Sequence, residues 1–372
     1  MSPGRSGVRL RHATVRGVRS ERPGVLELDV DVDDDRADTS PAVAFTDLTG
    51  PVGPGDRVLL NTTGVALDLG TGGFHLVVAV RDQAPVDPSH PGRIMKARYT
   101  PLQTAVESVE ESDRETIEGS TGLRGAPVVC APLHSMVGPI AAGARAAGAA
   151  TIAYVMTDGA ALAGRLSNLV PRLRAAELLD GFITCGQAFG GNLEAVTIWT
   201  GLLAAVELVG ADVVIVADGP GNLGTDTTWG VSALTSGHAL NAATTLGGRP
   251  VAALRISFAD GRERHRGVSH HSLTILDRVC TVAANVAVPI LEGPERDLVW
   301  GALRGRRLED RHQLVEADGR PALDELDRAG VDVVSMGRTT SDDPVFFLAA
   351  GAAGVLAGRM AAGSARWRRG AG

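Results

Sequence analysis

The chain has few aromatic residues, few cysteines and no excess of basic residues, and each shortage excludes a class of protein. Its 372 residues include only 7 Phe, 4 Trp and 2 Tyr, which leaves few rings to stack on the bases of a single strand. Three cysteines without a C-x-x-C pair exclude a disulfide framework and a cysteine-based zinc site. With 36 Lys+Arg against 43 Asp+Glu, the formal net charge is −7, so we expect no nucleic-acid partner.

Long apolar runs are also missing from the sequence. Val345–Ala357 is shorter than the ~18–20 residues of a membrane-spanning helix, and Leu202–Ala217 contains Glu207 and Asp212. The arginine-rich start, Met1–Ser20, has no apolar run behind it and is not predicted to be a signal peptide. We therefore expect a soluble cytoplasmic protein with no membrane partner.

Residues 1–80 predict a small β-domain, an antiparallel barrel or sandwich. Short runs with partial alternation of apolar and polar residues are separated by Gly/Pro turns. The predicted strands are Val8–Val15, Gly24–Val32, Ala42–Leu48, Asp56–Asn61 and Phe74–Val80. Residues 81–124 follow as a connector, which holds three prolines and then an acidic segment.

From residue 125 to 360 the pattern becomes apolar strand, polar loop, helix, repeated. The predicted strands are Pro127–Pro132, Thr151–Met156, Phe182–Cys185, Asp212–Ala217, Val251–Ile256 and Val331–Ser335. The predicted helices are Val137–Ala147, Ala160–Leu179, Leu193–Leu208 with Asn192 as its N-cap, Val231–Leu246 and Pro344–Arg359. This alternation predicts an α/β fold with a mostly parallel sheet covered by helices on both faces. Residues 361–372 are predicted to be a flexible basic tail.

Polar and small residues accumulate after the predicted strands, where a parallel sheet binds its ligands. One such loop carries G-x-G-x-x-G as Gly219, Gly221 and Gly224. It follows the fourth predicted strand rather than the first, Pro220 stiffens it, and Ser257 stands where a ribose-binding carboxylate is expected. The pattern favours an anion-binding loop, with Asn222 and Thr225 as further donors, over a dinucleotide site. A turn needed only for packing remains an alternative.

The next loop, residues 257–272, is the densest polar segment of the chain. It contains Arg262, Arg264 and Arg266 together with His265, His270 and His271. Arginine forks bind phosphate or carboxylate, and histidine moves protons near neutral pH. We expect Arg264, His265 and Arg266 to bind an anion and His270 or His271 to transfer a proton. A metal site with His134, Asp158 or Asp218 as partners lacks H-x-H or H-x-x-x-H spacing and stays open, as does a solvated basic loop.

Five further residues are candidates for the same site. Lys96 and Arg98 fold over it as a cationic flap, or else pair with the acidic segment after Val106. Asp158 acts as a general base or metal ligand, or else caps a helix. Gln187 and Asn192 follow the third predicted strand and are predicted to contact the ligand.

Several long strings of the sequence resemble one uncharacterised bacterial family, the domain of unknown function 3866. They are Val58–Thr63, Leu69–Gly73, Lys96–Gln103, Gly186–Ala195, Gly219–Thr225, Arg262–Thr274, and Met336–Arg338 with Asp343-Pro344. The resemblance covers nearly the whole chain and implies no activity. This chain has Ala217-Asp218-Gly219 where the family pattern is Ala-Gln-Gly, which weakens a catalytic role for Asp218.

Two functions fit these observations. The first is an enzyme acting on a small anionic metabolite, either phosphorylated or not, and the second is a non-catalytic sensor or scaffold that binds a nucleotide-like molecule. An enzyme needs a histidine within reach of a carboxylate in the pocket, whereas a sensor needs only the anion-binding residues. The sequence specifies no cofactor and no substrate, and it leaves a homo-oligomer open.

Overall fold

The computed structural model describes residues 7–33, 39–69, 72–84, 92–225 and 227–370, with side chains as far as residue 363. The chain divides into two compact units, Met1–Ala105 and Val106–Gly372. This boundary falls within the predicted connector, residues 81–124. The four-part division with its exact limits stays a prediction. Residues 85–91 of the connector and 371–372 of the tail lie outside the described residues.

The first unit contains a closed five-stranded barrel, so the predicted β-domain is confirmed. Its strands are β1 (Leu10–Arg22), β2 (Val25–Val32), β3 (Ser40–Phe45), β4 (Arg57–Asn61) and β5 (His75–Val80), in the order β1-β2-β3-β5-β4. All neighbours are antiparallel except β3 and β5, which run parallel. The unit also has two short helices, α1 (Thr46–Thr49) and α2 (Thr63–Ala66), while β6 (Ile94–Lys96) pairs with β7 (Thr104–Val106).

The arginines near the start of the chain belong to cross-strand ion pairs of the barrel. Arg16 pairs with Asp31 and Arg19 pairs with Asp29, which lie opposite on β2. Because these cations face carboxylates, this side of the barrel does not present a continuous basic strip.

The second unit is built on an eight-stranded parallel sheet, as counted over the described residues. Its strands are β8 (Pro127–Cys130), β9 (Ile152–Thr157), β10 (Gly181–Thr184), β11 (Leu193–Glu194), β12 (Val213–Asp218), β13 (Arg249–Ala253), β16 (Asn285–Pro289) and β17 (Gln313–Ala317). The order is β11-β10-β9-β12-β8-β13-β16-β17. Between β13 and β16 the short strands β14 (Ile256–Ser257) and β15 (Gly267–Val268) pair antiparallel outside this sheet. The predicted parallel α/β fold is confirmed.

Helices cover both faces of the sheet. One face packs against α5 (Val137–Ala146), α6 (Leu169–Ala175), α11 (Arg320–Arg328) and α12 (Pro344–Gly370). The other packs against α7 (Ile198–Glu207), α8 (Thr235–Thr245) and α10 (Gly293–Gly305). The remaining helices are α3 (Val109–Ser112), α4 (Arg114–Glu118) and α9 (His270–Thr274), which continues as a π-helical turn, Ile275–Val279.

The helix α12 extends from Pro344 to Gly370, beyond the predicted end at Arg359. Within the described residues it is the one helix long and apolar enough to span a membrane, over Pro344–Gly363, but 72% of that window is buried in the protein. It packs against α5 so closely that a Cβ at Gly354 would lie 2.0 Å from the Ile140 carbonyl oxygen. Its composition therefore matches its position in the core of the α/β unit.

Three predicted elements are wrong, each for a local reason. The helix predicted over Ala160–Leu179 is instead a 3₁₀ turn, Gly164–Leu166, followed by α6 (Leu169–Ala175), because Ala163 pairs with Phe189. Val331–Ser335 is not a strand: Val331 and Val333 are buried, yet the segment pairs with no sheet strand. Leu193–Glu194 forms β11 instead of opening a helix, because Leu193 pairs with Ile183. Asn192 is therefore not an N-cap, and α7 begins at Ile198, five residues after the predicted start, behind Thr197, whose side chain accepts from the Thr200 backbone amide.

Candidate functional site

The loops that carry the predicted site meet where the order of the sheet reverses. Strands β8 and β12 are neighbours, but the chain leaves β8 through α5 toward β9 and leaves β12 through α8 toward β13. Because α5 and α8 cover opposite faces of the sheet, the two connections leave these neighbouring strands toward opposite faces. Such divergence opens a crevice beyond the carboxyl ends of the strands, which is where open parallel sheets bind ligands.

A cavity of about 170 Å³ occupies this crevice. Its wall is formed by Pro132 and Leu133 after β8, Asn222–Thr225 after β12, the turn residues Val231 and Ala233, Met336, and the loop after β13 with Arg255, Arg262, Arg264, His265, His271 and Ser272. Six predicted site residues therefore lie in one wall: Asn222, Gly224, Thr225, Arg264, His265 and His271. A second hollow of about 520 Å³ shares Leu133, Asn222 and Met336 with it and also contacts His134, Ser167 and Gly221.

Asp260 organises the arginines of this wall. Its carboxylate accepts from Arg255 Nη2 at 2.7 Å and from Arg262 Nη2 at 2.9 Å. The Arg262 hydrogen bond holds the pKa of Asp260 well below its usual range. Burial lowers the pKa of Arg255 to about 10, so Arg255 remains charged at neutral pH.

A second acidic residue, Asp343, pairs with Arg338, which follows Met336 of the cavity wall by two residues. Asp343 accepts from Ser257 Oγ at 2.6 Å and lies 3.3 Å from Arg338 Nε. Arg255, Arg262 and Arg264 lie in the cavity wall, and one carboxylate, that of Asp260, is shared by Arg255 and Arg262. The wall carries excess positive charge next to an open space, which favours an anionic ligand.

Sequence patterns did not single out Arg255 and Asp260 as site residues. The signal was present, because Arg255 interrupts the apolar run of the predicted strand Val251–Ile256. A cation in such a run is rarely buried without a carboxylate partner. Arg255 is in fact 6% exposed and Asp260 4% exposed.

The three histidines of the loop form a compact cluster. The ring centroids of His270 and His271 are 3.9 Å apart, and that of His265 lies 5.2 and 5.1 Å from them. Burial lowers the pKa of His265 to about 3 and that of His271 to about 4, with nearby cations adding to the effect. These two imidazoles are therefore neutral at physiological pH. The proton transfer expected of His270 or His271 stays a prediction.

The donors of Asn222 and Thr225 in the glycine-rich loop form hydrogen bonds with other groups of the protein. Asn222 Nδ2 donates to the Pro132 carbonyl, to Asp218 and to Ser232 at 3.2–3.3 Å. The Thr225 amide donates to the Gly230 carbonyl at 2.8 Å. The loop leads into a 3₁₀ turn, Ser232–Leu234, rather than directly into a helix, so it lacks the geometry of a dinucleotide-binding turn. Gly221, at φ +83°, needs the freedom of glycine, and Gly219 is buried beneath the Ala161 carbonyl.

Several predicted residues lie away from the cavity. Asp158 is exposed and accepts from the Gln187 amide at 2.7 Å, so this pair joins two loops. Asn192 and Arg266 are exposed and are absent from both cavity walls. Lys96 and Arg98 belong to the other compact unit, where Lys96 is fully buried, and the flap stays a prediction.

A second polar network runs from the end of β12 to the larger hollow. Tyr154 donates its hydroxyl to the Asp218 carbonyl oxygen at 2.9 Å, which leaves it to accept from His134 Nδ1 at 3.1 Å. His134 Nε2 then accepts from Ser167 Oγ at 2.7 Å. Asp218 itself is buried and accepts from Thr157 at 2.6 Å and Thr235 at 2.9 Å. These bonds give Asp218 a structural role at the crevice.

His134 predicts a loss of stability in mild acid. Burial lowers its pKa to about 4, against ~6.5 in an unfolded chain. Between these values the unfolded state binds the extra proton, so stability decreases as the pH falls through this window. We expect His134 to lower the free energy of unfolding by about 2–3 kcal/mol at pH 4.5 relative to pH 7.5.

Urea unfolding of the wild type and His134→Gln at both pH values measures this difference. The exposed His238 supplies the control, His238→Gln, which should keep the wild-type pH dependence. An unchanged pH dependence in His134→Gln would contradict the assignment.

Comparison with known proteins places the chain in a family without supplying an activity. A family model described as a protein of unknown function (DUF3866) matches residues 41–354, which include both the strands of the sheet and the cavity loops. No curated protein and no solved structure matches the chain. Because the family match covers most of the sequence, the chain belongs to the DUF3866 family.

Proposed function

We propose that this protein is an enzyme that acts on a small phosphorylated metabolite, whose anionic group is bound in the crevice between β8, β12 and β13. The observation that carries the proposal is the wall formed by Arg255, Arg262 and Arg264 around a cavity at the point where the sheet order reverses. Arginine binds phosphate through paired N–H donors, and Arg262 and Arg264 lie on the loop that forms this wall.

The size of the cavity limits what it can hold. Ligand pockets for whole small molecules have volumes of ~300–1,000 Å³, and this cavity has about 170 Å³. It therefore suits a phosphoryl or carboxylate group, while the rest of the metabolite extends past the exposed Leu223 and Met336 at its edge. A small anion is the proposed partner, rather than a nucleic acid or a membrane.

The cysteines support a cytoplasmic location. Cys130, Cys185 and Cys280 are buried thiols that take part in no disulfide among the described residues. Thiols of this kind persist in reducing compartments.

A specific observation favours the non-catalytic sensor as the second candidate. Asp158 binds the Gln187 amide, and Asp260 binds arginines. Neither carboxylate is therefore placed to work with a histidine, as the enzyme hypothesis expected. Mass spectrometry of the ligand that co-purifies with the protein distinguishes the two candidates: an enzyme changes that ligand on incubation, and a sensor returns it unaltered.

Replacing Arg264 tests the anion site against a neighbour of the same charge. Arg264→Ala should weaken binding of inorganic phosphate or pyrophosphate by about ten- to hundredfold, because one charge-assisted hydrogen bond contributes ~1.5–3 kcal/mol. Arg266 is exposed and outside the cavity wall, so Arg266→Ala should change affinity by less than about twofold. Isothermal titration calorimetry measures both.

The melting temperature of each variant shows whether it is folded. If Arg264→Ala is unfolded, Arg264→Lys replaces it, because lysine keeps the positive charge but cannot donate two parallel hydrogen bonds. Equal weakening by the two alanine variants, or no phosphate binding by the wild type, contradicts the proposal.

A further inference from the structure

We propose that His265, His270 and His271 form a three-histidine site for a divalent transition-metal ion such as zinc, and that the bound ion completes the anion site. The inference deepens the proposed function, because His265 and His271 lie in the wall of the same cavity. The metal site itself rests on separate observations and can be tested without any substrate.

The first observation is geometric. One ring nitrogen from each histidine lies within 4.8 Å of the other two. In a zinc site with Zn–N distances of ~2.0–2.1 Å, tetrahedral ligands are roughly 3.3–3.5 Å apart. Side-chain rotations that bring the nitrogens closer by at most about 1.5 Å therefore reach that geometry. His265 ends a 3₁₀ turn, and the other two begin α9, so three chemically equivalent donors converge from two short elements.

The second observation concerns the ring nitrogens. His271 Nε2 is buried and has no hydrogen-bond partner among the described residues. A buried polar atom without a partner costs ~1–3 kcal/mol, and a metal ion would use its lone pair.

The residues around His265 orient its ring. Its Nδ1 lies 2.9 Å from Ser269 Oγ and 3.2 Å from Arg255 Nη1. Arg255 can only donate, so Nδ1 accepts in the metal-free protein and the ring proton is on Nε2. When an ion takes Nε2, the ring proton lies on Nδ1 and is donated to Ser269 Oγ, and the Arg255 Nη1 donor has to turn away from the ring. An outer hydrogen bond of this kind is the usual support of a metal-bound histidine.

The surrounding charge links the metal to the anion. The arginines of the loop repel a divalent cation, although Asp260 neutralises part of their charge. A phosphate bound between the arginines and the ion would be attracted by both, so each ligand should strengthen the binding of the other. This coupling is reciprocal by thermodynamic necessity.

Metal binding by the purified full-length chain tests the site directly. Equilibrium dialysis with zinc should give one ion per chain, and cobalt should give visible absorption bands of a low-coordinate nitrogen site. His271→Ala and His270→Ala should each lower zinc affinity at least about tenfold. The exposed His238 gives the matched control, and His238→Ala should bind zinc as the wild type does. Adding inorganic phosphate should raise the zinc affinity of the wild type severalfold.

The outcomes separate this inference from the proposed function. If the wild type binds phosphate equally well with EDTA or zinc present and takes up no zinc, the metal site is overturned and the proposed function stands. If zinc binds through the histidines but phosphate does not bind, the proposed function is overturned. The metal site then stands, and only its predicted coupling to anion binding is overturned. Zinc that binds His271→Ala and His270→Ala as tightly as the wild type overturns the site. Circular dichroism of each variant in EDTA confirms folding, and His271→Gln replaces His271→Ala if the alanine variant unfolds.

Discussion

Replacing Asp260 with asparagine is expected to lower the free energy of unfolding by about 3–5 kcal/mol. The side chains of Arg255 and Asp260 are only 7% and 3% exposed, and their ion pair has an N–O distance of 2.7 Å. The change keeps the shape of the side chain but leaves the buried guanidinium of Arg255 without a counter-ion. A buried charge without its partner loses its hydration and gains little in return. Urea unfolding at neutral pH measures the loss.

An exposed ion pair of the same type provides the control. Arg320 and Asp318 are also 2.8 Å apart, but the Arg320 side chain is 74% exposed. Asp318→Asn should therefore cost no more than about 1 kcal/mol. Similar losses in the two variants would mean that burial does not set the strength of the Asp260 interaction.

Replacing Gly354 with alanine is expected to destabilise the α/β unit by about 3 kcal/mol or more. A Cβ at this position would lie 2.0 Å from the Ile140 carbonyl oxygen, which belongs to α5 and cannot rotate away. The two helices would have to separate, and the surrounding core would lose contacts. Thermal unfolding followed by circular dichroism measures the change.

Gly363 of the same helix is the matched control. Apart from its chain neighbours and the backbone of its own helix, no described atom lies within 4 Å of a Cβ at Gly363, so Gly363→Ala should be neutral or stabilise the helix by up to about 1 kcal/mol. A Gly354→Ala variant that melts with or above the wild type would contradict the close contact between α5 and α12.

The elements that sequence patterns predicted well are those whose burial is strong and regular. Alternation along residues 26–32 predicted β2, and apolar runs predicted the central strands β8, β9 and β12, which are buried on both faces. The edge strand β17 is only partly buried, so its pattern is weak and it was missed. Conversely, Val331 and Val333 are buried and alternate with exposed residues as they would in a strand, although no sheet strand pairs with them.

The candidate site was predictable in its place but not in its contacts. The carboxyl-end rule led to the loops that line the cavity, because parallel strands carry them to the same edge of the sheet. Side-chain partners depend on packing that no local pattern encodes. Asp260 was therefore overlooked although it holds two arginines, and Asp158 was expected in the site although it binds a neighbouring loop.

The position of α12 also affects how the protein is made. This helix packs on β8 and β13, and roughly 200 residues of chain separate it from β8. At ~5–20 residues per second, a ribosome needs about 10–40 s to cover that distance. During this interval the apolar surface of β8 and α5 has emerged without its cover. The α/β unit is thus completed late in synthesis, and its unfinished sheet is a natural substrate for chaperones that bind nascent chains.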